Sequence, residues 1–197
     1  VDSTGVTVTG KLTAEDIVVD LTDAQGNTVV GEAAGDSFSG TDAENNTLIG
    51  KNAGTAITTA DHNTALGWGA LDSTTTGGWN TAIGSSTMDV NTTGTNNVAV
   101  GYAALTANTT GGSNTAVGMT SLDANTTGTY NTALGTLSLT ANTTANYNTA
   151  VGNYSLFANT TGQANAGLGY KALYANTTAS NNTAVGSNSA QANTTGT

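Results

Sequence analysis

Every 17 residues the chain returns to one phrase. Asn114-Thr115-Ala116-Val117-Gly118 is followed by Asn131-Thr132-Ala133-Leu134-Gly135 and then by Asn148-Thr149-Ala150-Val151-Gly152. Stepping in both directions reaches Gly50, Gly67, Gly84, Gly101, Gly118, Gly135, Gly152, Gly169 and Gly186 without a gap or an insertion. A strict period of this length means a solenoid, in which each repeat packs only on its neighbours. The abundance of Thr, Asn, Gly and Ala would also suit a disordered chain. Disorder, however, requires no aliphatic residue at fixed phase, and this chain keeps one.

Each repeat is numbered 1 to 17 from Asn46, with the glycine at position 5. Position 1 is Asn in all nine copies, and positions 13 and 14 are Thr-Thr in all nine. Position 4 is always aliphatic, from Ile49 to Val185, and position 3 is Ala in seven copies. Position 9 is mostly Leu, weakening to Gly54 and Ala190 in the terminal copies. These columns predict an all-β parallel β-solenoid, a β-roll or β-helix of nine 17-residue coils. Each coil would hold two short strands and two corners, with neighbouring coils about 4.8 Å apart and a rod of roughly 43 Å.

The first strand is expected at positions 2 to 4, apolar or small on both faces and therefore an inner strand. The second is expected at about 8 to 12, with Leu at 9 and Ala at 11 turned inward and variable position 10 exposed. Glycine at 5 provides a corner with positive φ or close backbone approach. Asn at 1 and 12, as in Asn114, Asn131 and Asn148, suits left-handed geometry and can stack into amide ladders. Only two sizeable aliphatic side chains fall in a coil, a thin core. The Ala column then faces other copies of the chain, with Ala116, Ala133 and Ala150 at the axis of a homotrimer.

Residues 1–45 differ from the array that fills 46–197. Gly5-Val6-Thr7-Val8-Thr9-Gly10 alternates as a half-buried strand does, and Ile17-Val18-Val19 is a second β-prone run. Thr28-Val29-Val30-Gly31 resembles a degenerate first copy, slipped by two residues. Nine of the 13 acidic residues lie in this part. It reads as an acidic neck or N-terminal cap, since an uncovered β-edge invites aggregation. The last coil ends at Thr197, and the chain reads as a segment of something longer.

Three lysines and 13 acidic residues give a net charge of −10. Such a chain has no electrostatic footprint for nucleic acid or an anionic membrane, and no apolar run long enough to span a bilayer. No cysteine is present, so disulfides and thiolate metal sites are excluded,. His62 is the single histidine, which removes His-based triads and multi-histidine metal sites within one chain,. No cofactor is expected, and the chain reads as no enzyme. Asp72 and Asp89 share position 10 on adjacent coils, about 5 Å apart, a separation that occurs in retaining glycosidases. An exposed flat strand without a cleft gives them no means of raising one pKa, and solvated surface charge is the simpler account.

The string from Asn97-Val98-Ala99-Val100-Gly101 through Asn108-Thr109-Thr110-Gly111 resembles repeats in tailed-phage fibre proteins. Gly5-Val6-Thr7-Val8-Thr9-Gly10 with Lys11-Leu12-Thr13-Ala14 is similar to a phage-fibre shaft. Asn97-Val98-Ala99-Val100-Gly101 also resembles the head repeat of YadA-like trimeric autotransporter adhesins, which are trimeric left-handed β-rolls. These resemblances imply a structural fibre segment in a virion tail, with itself and other tail proteins as partners, serving host attachment. The alternative they imply is an adhesin head on a bacterial surface. A third reading, from the Thr columns alone, is an ice-binding solenoid.

Only variable positions carry aromatic residues in the array: Trp68, Trp79, Tyr102, Tyr130, Tyr147, Tyr154, Phe157, Tyr170 and Tyr174, at positions 6, 7, 10 and 17. They are candidate contacts to a host glycan or surface, against the plainer account of corner packing on the neighbouring coil. Asn-Thr-Thr triplets beginning at Asn91, Asn108, Asn125, Asn142, Asn159, Asn176 and Asn193 are formal glycosylation sequons, or simply corner chemistry,.

Overall fold

The computed structural model describes residues 23–38 and 42–196. The strands expected at Gly5–Gly10 and Ile17–Val19, and the terminal Thr197, lie outside the described residues. Ten three-residue strands run along the chain: β1 (Thr28–Val30), β2 (Thr47–Ile49), β3 (Thr64–Leu66), β4 (Thr81–Ile83), β5 (Val98–Val100), β6 (Thr115–Val117), β7 (Thr132–Leu134), β8 (Thr149–Val151), β9 (Ala166–Leu168) and β10 (Thr183–Val185). They form one sheet in sequence order, every pair parallel. Each residue pairs with the one a single period away, as Ala116 does with Ala133. The slipped run joins in the same register, Thr28 opposite Thr47, so the two extra residues are absorbed outside the strand. The array is thus a parallel β-solenoid of 17-residue coils, with no helix among the described residues.

The strand faces the opposite way from the sequence expectation. Ala116, Ala133 and Ala150 are 0% exposed inside the coil and cannot face a partner. Positions 2 and 4 look outward instead: Val117 and Leu134 are both exposed. The reason is volume. The lumen also holds Leu at 9, a small residue at 8 (Ala104, Ser121, Ser138) and the Asn side chains of positions 1 and 12, all buried. A methyl group is what fits opposite them. The first full coil shows the trade, because Leu48 replaces Ala at position 3 where Gly54 replaces Leu at position 9. A Cβ on Gly54 would stand 2.9 Å from Leu48 Cδ2.

The expected second strand at positions 8 to 12 is absent. Positions 6 to 11 form consecutive turns, closed by Ala104 N–H on the Gly101 carbonyl (3.4 Å) and Asn108 N–H on the Leu105 carbonyl (3.2 Å). Position 11 is only half-buried; position 8 takes the inward role given to it. Position 7 donates to the preceding coil, as Ala103 does to Ser85, and position 9 to the next, as Leu105 does to Ser121, each at 3.0 Å. This alternation requires left-handed backbone at 7 and 9. Leu105 has φ 55° and Leu122 φ 53°, a conformation costing a non-glycine residue about 1–2 kcal/mol. From Asn52 to Asn188 every such residue gains an axial hydrogen bond for its backbone. Left-handed geometry also falls at position 17, not at Asn positions 1 and 12 as expected.

Ala133→Leu therefore overpacks the coil interior rather than an interface, for about 1–3 kcal/mol. Urea denaturation should show the same loss at low and high protein concentration. A loss seen only at low concentration would put this column back at an interface.

Candidate interaction surfaces

Two amide ladders fix the coil outline and so place everything outside it. In the first, the Asn131 backbone N–H donates to Asn114 Oδ1 (3.0 Å), and Asn114 Nδ2 donates to the Gly128 carbonyl (2.8 Å). In the second, Asn125 Nδ2 donates to Asn108 Oδ1 (2.9 Å) and to the same Gly128 carbonyl (3.1 Å). The two columns thus converge on position 15, where the Gly or Ala residues are buried almost throughout. The second ladder starts late, because position 12 is Ile57 and Thr74 in the first two coils. Among the described residues one buried side-chain polar atom, Thr120 Oγ1, lacks a partner.

These ladders decide six of the seven sequons; Asn193, in the last coil, is only half-buried. Asn91, Asn108, Asn125, Asn142, Asn159 and Asn176 are all 0% exposed with their amide nitrogens engaged. Once the chain has folded they are closed to a glycosyltransferase. Position 13 is likewise committed, since Thr109 Oγ1 donates to the Thr126 carbonyl of the next coil (3.1 Å). Only the position-14 column stands fully outward, so Thr-Thr presents one free hydroxyl file, not two.

All nine candidate aromatics of the array lie outside the core, in three settings. Trp68 and Tyr102 at position 6 are exposed and form no ring pair among the described residues. At position 17, Tyr130 and Tyr147 stack on adjacent coils with centroids 5.2 Å apart and planes 2° from parallel. Trp79 stacks at 5.5 Å on His62, a pairing that spacing alone did not single out. The third setting is a cluster on coils seven and eight. Phe157 and Tyr174 stack at 5.2 Å, and Tyr154 meets Phe157, Tyr170 and Tyr174 edge-on at 5.5, 6.5 and 6.3 Å.

Lys171 joins this cluster and was not among the sequence candidates. Its Nζ lies 5.2 Å from the Tyr174 ring centre, 5.3 Å from Tyr170 and 6.0 Å from Tyr154. A seventeen-residue step places Tyr154 and Lys171 in the same column, with Phe157 and Tyr174 three residues further along each coil. The other described lysine, Lys51, pairs with Glu32 at 3.0 Å on the exposed surface, an arrangement that contributes little.

The acidic column at position 10 is half-buried rather than fully solvated. Partial burial pushes the Asp89 carboxyl up, and the neighbouring Asp72 charge adds to the shift. Burial also raises Asp123, opposed by a hydrogen bond from Thr106. A raised folded pKa means the native state disfavours the charged form. The penalty is therefore absent below the unfolded pKa and complete once pH exceeds the folded one. Asp89→Asn should raise the melting temperature slightly at pH 7 and leave it unchanged at pH 3; an equal gain at both would exclude the electrostatic cause.

Among the described residues there is no pocket, and no group of three or more His, Cys, Asp or Glu side chains comes together. No described helix is long and apolar enough to cross a membrane. Comparison with protein-family models, with curated proteins and with solved structures finds no match.

Proposed function

We propose that this chain is a structural shaft, part of a trimeric fibre of the tailed-phage type that serves attachment to a host surface. The observation that supports this reading is the outward strand face. Position 4 sets an unbroken file of nine aliphatic residues along the sheet, from Ile49 through Val117 and Leu134 to Val185. Beside it runs position 2, Thr in seven copies and otherwise Val98 or Ala166. The face is flat, uncharged and regular over the length of the rod. A file of this kind on a soluble protein is a contact surface, and identical copies match it coil for coil.

Three chains meeting on this face would have their aliphatic files along a common axis, with the ridges at positions 6, 7, 10 and 17 turned outward. The partners are then the chain itself and other components of a fibre, and the site of action is a virion tail. Catalysis has no place in this reading.

Each position-4 side chain would gain about 1 kcal/mol by burying its remaining exposed area. A buried, unpaired carboxylate costs several kcal/mol. Val117→Glu with Leu134→Glu is therefore expected to convert a trimer into monomers in sedimentation analysis while the β circular-dichroism spectrum persists. A wild-type chain that is monomeric and stable at low concentration would overturn the assembly. If that monomer also depresses freezing in a thermal-hysteresis assay, the Thr-and-aliphatic face belongs to an ice binder.

A further inference from the structure

We infer that the Tyr154, Phe157, Tyr170, Lys171 and Tyr174 cluster binds carboxylate-bearing oligosaccharides. The inference stands on the outer ridge and does not depend on the strand face or on three chains meeting there.

The cluster is a local departure from a uniform array. At position 10 the earlier coils carry Thr or Asp, and at position 7 mostly small or polar residues such as Gly69, Ser86 and Thr120. The large core column does not change with it: Leu156 and Leu173 fill position 9 as Leu does in the neighbouring coils, and Gly167, which replaces Ala at position 3, lies inside the coil beside Ser155. The core therefore gives no packing reason for five large side chains to gather here. Tyr154 and Lys171 also occupy left-handed backbone, φ 59° and 54°, where Asn or Gly is the easier choice.

Charge points the same way. All 13 acidic residues lie at or before Asp123. From residue 124 to 197 the only charged side chain is Lys171, within a chain of net charge −10. Among the described residues its ammonium forms no ion pair. Three ring faces hold it instead, which orients the cation without neutralising it. An anion is the missing partner.

Shape selects the rest of the ligand. Phe157 and Tyr174 stack on one another across successive coils, 5° from parallel, so each covers a face of the other. Tyr170 beside them stays 45% exposed. A pyranose ring offers an apolar face of CH groups to the exposed Tyr170 ring, and a uronic or sialic acid adds a carboxylate for Lys171 Nζ. The ridge is convex, with no cavity to enclose a ligand, so a single site is weak, with a Kd on the order of 1 mM.

The test is a titration of fluorotyrosine-labelled protein with a uronate tetrasaccharide, a sialylated trisaccharide and the neutral, carboxyl-free counterpart of each. At least one acidic sugar should shift the Tyr154, Tyr170 and Tyr174 resonances, with its neutral counterpart at least tenfold weaker. Lys171→Gln should abolish that preference, Lys171→Arg should keep it, and added salt should reduce it. Both variants change one half-buried side chain on the outer ridge, and an unaltered β spectrum verifies their fold. The inference is overturned if neither acidic sugar binds, if acidic and neutral sugars bind alike, or if Lys171→Gln leaves the preference intact.

Discussion

Gly118→Ala is expected to cost roughly 3–5 kcal/mol, and the same change at Gly186 much less. The position-5 glycines have φ between 121° and 141° in the array, where L-residues are strained. At Gly118 a second obstacle is added. A Cβ there would lie 2.6 Å from the Gly135 carbonyl carbon and 2.7 Å from its oxygen. Both are backbone atoms of the next coil, locked by the Gly135 N–H bond to the Val117 carbonyl (2.7 Å), so they cannot yield as a side chain would. Coil must separate from coil. At Gly186 φ is still 121°, but the nearest atom to an added Cβ is Ser189 Cβ at 4.0 Å. That variant carries only the strain, about 1–3 kcal/mol. Urea denaturation of both variants separates the terms. Hydrogen exchange should show the Gly118→Ala defect centred on the coils it joins, as expected where each repeat contacts only its neighbours. Equal losses at the two sites would mean that backbone strain, not stacking distance, explains the glycine column.

The period made the stacking legible: one spacing fixes parallel coils, their register and a strand at positions 2 to 4. Which face of that strand looks inward was harder to read. Aliphatic position 4 is the more hydrophobic choice, and hydrophobicity alone sends it inside. Lumen volume decides otherwise, and its trace in the chain is the pair Leu48 and Gly54, a large and a small residue exchanged within one coil. The turns at positions 6 to 11 left no comparable trace. Leu is not a left-handed residue by preference, so nothing in Leu105 or Leu122 announces φ near 55°,. The demand comes from axial hydrogen bonding, a property of the stack rather than the residue. Of the outer sites, the aromatic columns were visible because they break the repeat. Lys171 was not, because three rings on two coils surround it only after folding.

Asn114→Ala and Asn114→Asp should differ in a way that only a buried, directional ladder produces. With Ala, the Asn131 N–H loses its acceptor inside the coil. The Gly128 carbonyl keeps the Asn125 amide, and Asn131 Nδ2 keeps the Ala145 carbonyl at 2.8 Å. One orphaned donor and a small cavity come to about 2–4 kcal/mol, with little dependence on pH. Asp preserves the acceptor for the Asn131 N–H. It also puts a carboxylate oxygen where Nδ2 now donates to Gly128 at 2.8 Å. Ionised and buried, that oxygen faces a carbonyl, so the variant's folded pKa rises above the unfolded value of about 3.9. Below the unfolded pKa both states are protonated and the acid O–H takes over the donation. The penalty then grows as pH rises to the folded pKa and stays constant beyond it. At pH 3 the Asp variant should melt nearer to wild type than the Ala variant does, and at pH 7 below it. If the two variants keep the same order at both pH values, Asn114 serves the coil as a shape and not as a donor and acceptor. The recurrence of Asn at position 1 through all nine coils would then need another cause.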